Sequence, residues 1–334
     1  MAASAERVIV GATNKDEHQQ ESQFRVVMRR FARHRMAVIS LFILLFILLA
    51  AFAAPFISNF SYDEIDITLP ERPAAPGTLN AEGEMHLLGV DKLGRDLLAR
   101  VLYAGRISLL IAIFVTLISE TVGTLIGAIA GYYGGWVDTI VSRIVEFMVS
   151  IPTLPILLIL SGMILNTEIA SFLPGWLSVL ISRVLGVPDS EVIKVVLLIG
   201  VLVLFGWLGS ARLMRGMALS LRSQDFVESL RAFGASDARI ILGHIIPNGL
   251  APILVNASLG LGGVIIAEAS ISFLGLGIQD TTPTWGNMLS DSKSYMFDHP
   301  WLPLVPGIPL VLVSLAINFI GDGLRDALDP KLKR

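Results

Sequence analysis

Long apolar blocks are the feature that most constrains this chain. A helix needs about 20 mostly apolar residues to cross the ~30 Å hydrocarbon core of a bilayer. The blocks of suitable length lie at about residues 37–57, 106–130, 147–165, 191–209, 250–273 and 302–321. The first block contains no charged residue. This pattern predicts an all-α integral membrane protein with six transmembrane helices.

The composition supports a membrane protein and excludes several other classes. Of the 334 residues, 54% are hydrophobic and 16% are charged, whereas an ordinary soluble domain carries about 25% charged residues. A net charge of −3 is too small to indicate a nucleic-acid partner. The absence of cysteine excludes disulfides and thiolate metal sites. The five histidines are too dispersed to predict a metal cluster.

The placement of arginine and lysine predicts the orientation, because cytoplasmic loops carry an excess of both. Five arginines precede the first block, at positions 25, 29, 30, 33 and 35. With six crossings, the polar loop 210–249 and the basic C-terminus lie on the same side as these arginines. We therefore expect both termini to be cytoplasmic. Ala170–Leu185 is short for a span and predicts a helix in the membrane interface, although a seventh crossing stays open.

The same pattern divides the chain into five parts. These are a cytoplasmic N-terminal tail with a basic juxtamembrane helix (1–36), the first transmembrane helix (37–57), an extracytoplasmic segment (58–104), a core with five transmembrane helices and the loop 210–249 (105–325), and a cytoplasmic C-terminal tail (326–334). The bilayer is thus the first predicted partner of the chain.

Within the polar loop, the stretch 222–250 predicts two short helices. On a helical wheel one arc holds the apolar side chains Phe226, Val227, Leu230 and Phe233. Gly234 suits the left-handed residue that ends a helix, and Ser236 suits the N-cap of the next. Pro247 and Pro252 are expected to break the chain as it returns to the membrane. The product would be a compact knob whose apolar face can enter a groove in a partner protein.

The spacing of this loop resembles that of the cytoplasmic coupling loop, or EAA loop, of ABC-importer permeases. The matching residues are Glu228-Ser229-Leu230, then Gly234, then nine residues, then His244-Ile245-Ile246-Pro247. The resemblance implies an ATPase-coupling role for Phe226, Glu228, Leu230, Arg231, Phe233, Gly234, Ser236 and Pro247. The family pattern prefers two alanines after the glutamate and an isoleucine at position 244, so the contact details differ here.

Other stretches resemble the C-type subunit of dipeptide and oligopeptide permeases. They are His86–Asp91 with Leu93–Arg100, Phe273–Gly277 with Pro283–Gly286, and the ending Gly321–Pro330. The resemblance implies an ABC type I importer permease fold, peptide transport and the bacterial cytoplasmic (inner) membrane. It also implies a second homologous permease subunit, two cytoplasmic ATPase subunits that bind ATP and Mg²⁺, and an extracytoplasmic substrate-binding protein. No cofactor is expected in this chain.

Other functions stay open beside this one. Related permeases carry glutathione, nickel chelates or oligosaccharides, and an ion-coupled secondary transporter or a membrane scaffold is a further alternative. An enzyme is not expected. No lysine follows a glycine, so the phosphate-binding loop GxxxxGK[ST] is absent, and no GxSxG elbow or zinc-protease helix occurs.

Two further groups of charged residues are candidate sites. Asp91, Arg95, Asp96 and Arg100 precede the second block. We expect them to form a charge network in the outer water layer, either as a structural cap on the second helix or as contacts for a docked binding protein. Glu120 and Glu268 lie inside apolar blocks, where an unpaired charge costs several kcal/mol. We interpret both as lining a hydrated pathway or forming a structural pair; a proton relay is the alternative.

Overall fold

The computed structural model describes residues 23–165 and 173–328, and this part of the chain is almost entirely helical. The helices are α1 (Gln23–Arg33), α2 (Arg35–Phe52), α3 (Ala54–Ile57), α4 (Leu97–Tyr133), α5 (Gly135–Ser150), α6 (Thr153–Leu165), α7 (Gly175–Leu185), α8 (Asp189–Gly206), α9 (Leu208–Leu221), α10 (Asp225–Ala232), α11 (Asp237–Ile240), α12 (Ile246–Phe273), α13 (Trp285–Ser292) and α14 (Trp301–Leu328). A short antiparallel hairpin joins β1 (Thr78–Leu79) to β2 (Met85–His86).

Four continuous helical stretches are long and apolar enough to cross a membrane: α2, α4, the stretch Asp237–Phe273 and α14. Two bent pairs, α5 with α6 and α8 with α9, each pass the same test when taken together. The predicted count of six spans is reached when each pair is one crossing. The all-α membrane fold is confirmed, and four of its crossings are straight.

The third predicted block, 147–165, is not one continuous helix. Helices α5 and α6 meet there at an angle of 85°. The cause is local, because Ile151 precedes Pro152 and has an extended backbone, φ −83° and ψ 132°. A residue before proline disfavours the helical region, and proline cannot donate to the preceding turn. The apolar run therefore continues across a sharp bend that hydropathy alone does not reveal.

The fifth crossing is longer than predicted, because Pro247 and Pro252 do not break it. Helix α11, the π-helical turn Ile241–Ile245 and α12 form one continuous stretch from Asp237 to Phe273. The widened π turn lies directly before Pro247, where a regular helix would place the proline ring against the carbonyl group of residue 243. The polar loop is thus joined to a membrane helix without a flexible joint.

Helix α7 fits the interfacial helix predicted at Ala170–Leu185. Its 11 residues, Gly175–Leu185, measure about 16 Å, too short for the ~30 Å hydrocarbon core. Residues 170–172 lie outside the described part of the chain.

The bundle is held together by a close contact between α4 and α9. Gly123, Gly127 and Gly131 follow one face of α4 at four-residue spacing. A Cβ atom added to any of them would lie within 2.6 Å of a backbone carbonyl oxygen in α9 or just before it, those of Trp207, Ala211 and Arg215 respectively. Small residues at this spacing let two helices approach to backbone contact. Helices α2 and α12 pack against α14, and α12 also packs against α4.

Candidate functional site

The polar loop contains two short helices meeting at a glycine, as the sequence predicts. Helix α10 begins at Asp225, with Asp225 and Glu228 in its first turn, where negative charge favours the helix dipole. It ends before Gly234, whose φ of +78° is left-handed. The Gly234 and Ala235 N–H groups donate to the carbonyl oxygens of Arg231 (2.9 Å) and Leu230 (3.0 Å). These bonds satisfy carbonyl groups at the end of α10.

The start of α11 differs in one detail from the expected cap. Ser236 has the extended backbone of an N-cap residue, φ −68° and ψ 149°, but its side chain accepts no hydrogen bond from the helix. Instead, Asp237 in the first turn accepts a hydrogen bond from the Tyr132 hydroxyl at 2.6 Å. The position of the helix start was predictable, whereas this long-range partner was not.

The predicted apolar arc of α10 is divided between two environments. Val227 is fully buried and Leu230 is half-buried against residues of α4, α9 and α11. Phe226 is 37% exposed and Phe233 is 90% exposed. The expectation that the whole arc faces a partner is therefore wrong, because half of it packs against the protein's own bundle. The two phenylalanines form the exposed surface, which we call the Phe226–Phe233 knob.

The loop is fixed to the end of α4 by a polar cluster around Tyr132. Arg231 donates to the Tyr132 hydroxyl at 3.3 Å, and its guanidinium group lies 4.9 Å from the centre of the Tyr132 ring. Arg222 donates to the carbonyl oxygens of Gly131 (3.2 Å) and Tyr132 (3.4 Å). These contacts join α10 and the residues just before it to the end of α4.

The remaining predicted loop residues lie at the surface. Glu228, Arg231, Gly234, Ser236 and Pro247 are all exposed. Apart from its two neighbours in the chain, no residue that the structure describes has an atom within 4 Å of a Cβ atom built on Gly234. Its backbone conformation, rather than crowding, therefore favours glycine there.

At the other end of the bundle, the charges that precede α4 form a buried network. Arg95 donates to Asp91 at 2.7 Å and to Asp280 at 2.8 Å. Arg100 donates to Asp280 at 3.1 Å and lies 3.5 Å from Asp91. Asp91, Arg95 and Arg100 are each less than 7% exposed. Three of the four predicted residues are thus brought together, and they join the segment before α4 to the loop after α12.

These contacts determine how the charged groups titrate. Burial alone would lower the pKa of Arg95, but the hydrogen bond to Asp280 and the charge of Asp91 outweigh it and raise the pKa. Burial would raise the pKa of Asp280, but the hydrogen bond from Arg95 and the charge of Arg100 lower it. Paired charges inside a protein are retained in their ionised forms in this way.

Asp96, the fourth predicted residue, belongs to a different cluster. It caps α4 by accepting from the Ala99 N–H at 2.7 Å, and its other oxygen lies 2.9 Å from Nδ1 of His86. Nε2 of the same histidine lies 3.3 Å from Asp66. Sequence reasoning missed His86, which is 1% exposed. The available signal was its place in the same short segment as Asp96.

The two intramembrane glutamates occupy different environments. Glu120 accepts from the Ser210 hydroxyl at 2.6 Å and from the Asn256 side-chain amide at 2.9 Å. It lines a groove of about 630 Å³ between α4 and the Asp237–Phe273 helix. Glu268 is fully buried and accepts from Ser108 (3.1 Å) and Ser272 (2.8 Å). They do not pair with one another, and in the described part of the chain neither forms a salt bridge.

Among residues 23–165 and 173–328, no group of three or more histidine or carboxylate side chains is arranged to hold a metal ion. The arrangement consists of an exposed aromatic knob, a polar contact between the loop and α4, and a groove lined by one carboxylate.

Comparison with known proteins shows the family of the chain. Residues 123–334 match the family described as binding-protein-dependent transport system inner membrane component, and residues 22–76 match the N-terminal transmembrane domain of oligopeptide transport permease C. The dipeptide transport system permease protein DppC of Alkalihalophilus pseudofirmus is 36% identical over 96% of this chain and 93% of its own length.

Two oligopeptide transport system permease proteins, both named OppC, show the same coverage. The protein of Mycobacterium tuberculosis is 37% identical over 91% of this chain and 94% of its own length. The protein of Haemophilus influenzae is 40% identical over 91% of this chain and 87% of its own length. A family match over more than half of the chain and these near full-length relatives lead to one conclusion: the chain belongs to the family of binding-protein-dependent transport system inner membrane components, and it is a permease subunit rather than an enzyme.

Proposed function

We propose that this permease subunit imports dipeptides and oligopeptides across the bacterial cytoplasmic membrane, with both termini in the cytoplasm. The observation that carries the substrate class is the near full-length similarity to permeases named for dipeptide and oligopeptide transport. The working complex would contain a second permease subunit, two ATPase subunits that bind ATP and Mg²⁺, and an extracytoplasmic binding protein.

The Phe226–Phe233 knob is the proposed contact with the ATPase. Phe233 is 90% exposed at the end of α10, outside the helices that can cross the membrane. Aromatic side chains seated in a partner's pocket are frequent binding hot spots. Glu228, exposed in the first turn of α10, adds a charge beside this surface. Closure of the ATPase dimer would move α10, and the cluster around Tyr132 would pass that movement to α4.

The groove beside Glu120 is the proposed part of the translocation pathway. It lies between α4 and the Asp237–Phe273 helix, the two elements that the loop contacts directly, so a movement of α10 reaches both walls. Glu268 is fully buried and satisfied by two serine hydroxyls, which favours a structural role. The buried Asp91, Arg95 and Arg100 favour a structural cap over direct contact with a binding protein.

Two alternatives are separated by simple assays. A related solute such as glutathione, a nickel chelate or an oligosaccharide would use the same architecture, so the ligand of the binding protein decides between these substrates.

An ion-coupled transporter would use the carboxylates of Glu120 and Glu268. Uptake by the subunit in vesicles that lack any ATPase would favour that alternative and contradict the importer.

The coupling role is tested by Phe233→Ala, with Phe297→Ala as the matched control. Both side chains are almost fully exposed, at 90% and 89%, but Phe297 lies between α13 and α14, away from the loop. Loss of a central aromatic anchor costs about 2 kcal/mol or more, roughly thirtyfold in affinity. Phe233→Ala should lower the affinity of the purified permease for the ATPase subunits about thirtyfold. Phe297→Ala should leave that affinity unchanged. Equal retention by both variants would overturn the assignment of the knob.

A backbone variant tests the same loop independently. Gly234→Pro forces a negative φ where the structure has +78°, so the end of α10 must reorganise. ATP-dependent peptide uptake should fall to background while the amount of subunit in the membrane stays unchanged. Full uptake by Gly234→Pro would contradict the coupling role.

A further inference from the structure

Helix α7 and its surroundings are not used by the proposed transport mechanism. The helix belongs to the extra length between the third and fourth crossings. Its C-terminal end is firmly held, because Leu185 is 1% exposed and packs in the same core cluster as Ile107 and Ile111. Gly186 ends the helix in a left-handed conformation, φ +71°. The position of α7 against the bundle is therefore well defined.

The contacts of Arg106 indicate how deep α7 lies in the bilayer. Arg106 donates from one nitrogen to the carbonyl oxygens of Arg183 (3.1 Å) and Val184 (3.2 Å) at the end of α7. Its guanidinium carbon lies 5.2 Å from the centre of the Phe52 ring, and Phe52 is the last residue of the first membrane helix. The end of α7 therefore lies at the membrane surface, where α2 leaves the bilayer. Arg183, which is exposed in the last turn of α7, adds a second arginine to this end of the helix.

Below this corner lies an apolar cavity of about 310 Å³ between α4, α7 and α8. Its lining side chains are Phe114, Ile118, Leu180, Ile181, Val184, Leu185, Val196 and Ile199. None of these side chains carries a polar atom, so the cavity offers water no hydrogen-bond partner from a side chain. An engineered apolar cavity of roughly 150 Å³ stays dry and binds benzene, and this one is about twice as large. An apolar occupant is therefore favoured.

The cavity lies at a depth that a lipid acyl chain occupies. With a rise of 1.5 Å per residue along α4, Phe114 and Ile118 lie about 12 and 18 Å from the level of Arg106, towards the middle of the membrane. Ile118, Leu180 and Val184 are each 40% exposed or more, so the cavity is open on one side. A chain that entered from the membrane surface at Arg183 would descend along α4 into the cavity.

The exposed side of α7 carries residues that could contact a lipid headgroup. At 100° per residue, Trp176, Leu180 and Arg183 share one side of the helix, and Val184 adjoins it. Trp176 is 71% exposed, and tryptophan is enriched where membrane and water meet. Arg183 is exposed in the last turn, and a guanidinium group binds phosphate oxygens in a bidentate manner. The two arginines are complementary to a negatively charged headgroup.

We propose that this corner is a binding site for one anionic phospholipid, with an acyl chain in the cavity and the headgroup phosphate at Arg183 and Arg106. The inference goes beyond the transport function and does not depend on the substrate. It gives a role to α7, which is too short to cross the membrane. The lipid would fill a space that the helices leave open on the membrane side of the bundle.

The test uses the fluorescence of Trp176 in the full chain, reconstituted in phosphatidylcholine bilayers. The signal of Trp176 is the difference between the wild-type protein and the Trp176→Phe variant. Phosphatidylglycerol brominated on its acyl chains should quench this signal at about fivefold lower mole fraction than equally brominated phosphatidylcholine. The factor corresponds to the attraction of one arginine to an anionic headgroup. Equal quenching by the two lipids would overturn the proposal.

Two variants separate the headgroup contact from the cavity. Arg183→Gln should abolish the preference for phosphatidylglycerol, whereas Arg143→Gln, an exposed arginine on α5 that pairs with Glu146, should keep it. Val196→Phe places a larger side chain in the cavity and should reduce quenching by both lipids. A preference that survives Arg183→Gln contradicts the proposal. So does loss of quenching when the second permease subunit is added, because the surface would then be a protein interface.

Discussion

Carboxylate groups in this protein are stabilised in ways that reflect their depth. Outside the membrane-spanning helices, Asp91 and Asp280 accept hydrogen bonds from guanidinium groups. Asp66 is hydrogen-bonded to Thr68 and to the imidazole of His86. Inside the bundle, the donors to Glu120 and Glu268 among the described residues are hydroxyl and amide groups only. A carboxylate without a charged partner is costly in hydrocarbon, and the hydroxyl and amide groups offset part of that cost at both sites. Glu120 borders the groove, whereas Glu268 is fully buried.

Asp66 is expected to make residues 58–96 sensitive to acid. Burial alone would raise its pKa, but hydrogen bonds from Thr68 and His86 outweigh it and lower the pKa from 3.8 to about 2. A lowered folded-state pKa contributes stability above the ordinary value, and this contribution is lost as the pH falls from about 4 towards 2. Amide-hydrogen exchange, corrected for the intrinsic pH dependence of exchange, reports the free energy of local opening. We expect this free energy to fall in residues 58–96 by about 1 kcal/mol over this interval. Asp66→Asn should flatten the response, whereas Glu82→Gln, at an exposed position, should preserve it.

At the scale of elements, the length of the apolar blocks and the local capping residues were enough to predict where helices lie. They did not predict where a helix bends or which neighbouring helix covers each face. The Gly234 position and the start at Asp237 follow from local chemistry, and both are present. The 85° bend at Pro152 also had a local signal, yet it falls inside an uninterrupted apolar run. The division of the α10 arc has no local signal, since a helical wheel groups side chains without saying which neighbour covers them.

The glycine face of α4 gives a stability prediction for the α4–α9 contact. Gly127→Ala places a methyl group against backbone atoms of α9, so the helices must separate. Overpacking of this kind costs about 1–3 kcal/mol. The matched control is Gly216→Ala in α9, where nothing lies within 4 Å of the added carbon. There the better helix propensity of alanine should be neutral or stabilising by up to about 1 kcal/mol. The thermal unfolding midpoint, followed by circular dichroism, should therefore fall for Gly127→Ala and stay unchanged or rise for Gly216→Ala. Equal shifts of the two variants would contradict close packing.

At the scale of the whole molecule, the contacts that organise the bundle join residues far apart in the chain. Arg95 and Arg100 reach Asp280, Lys92 reaches Asp291, and Tyr132 reaches Asp237. Such pairs are not visible in one sequence, because no periodicity links positions that are 100 to 200 residues apart. They nevertheless give each end of α4 a rigid partner: the charge network on one side and the α10–α11 loop on the other. Under the proposed coupling role, α4 would carry a displacement of α10 to the groove beside Glu120.

This view of α4 predicts that transport and ATP hydrolysis can be separated. Tyr132→Phe removes the hydroxyl that donates to Asp237 and accepts from Arg231, but it leaves the Phe226–Phe233 knob intact. In the reconstituted complex, we expect the ATPase subunits to stay bound and to hydrolyse ATP while peptide uptake per ATP falls about tenfold. That factor corresponds to about 1.4 kcal/mol, at the lower end of the range for a hydrogen bond to a charged group.

A double-mutant cycle identifies the contact responsible. Asp237→Asn alone should reduce uptake per ATP in the same direction, because the Tyr132 hydroxyl then donates to a neutral amide oxygen. Since both substitutions act on one bond, the double variant should lose little more than Tyr132→Phe alone. Independent, additive losses would mean that α10 drives the bundle by another route, through the packing of Val227 and Leu230. Unchanged uptake per ATP in Tyr132→Phe would rule out the Tyr132 cluster as the connection between the loop and α4.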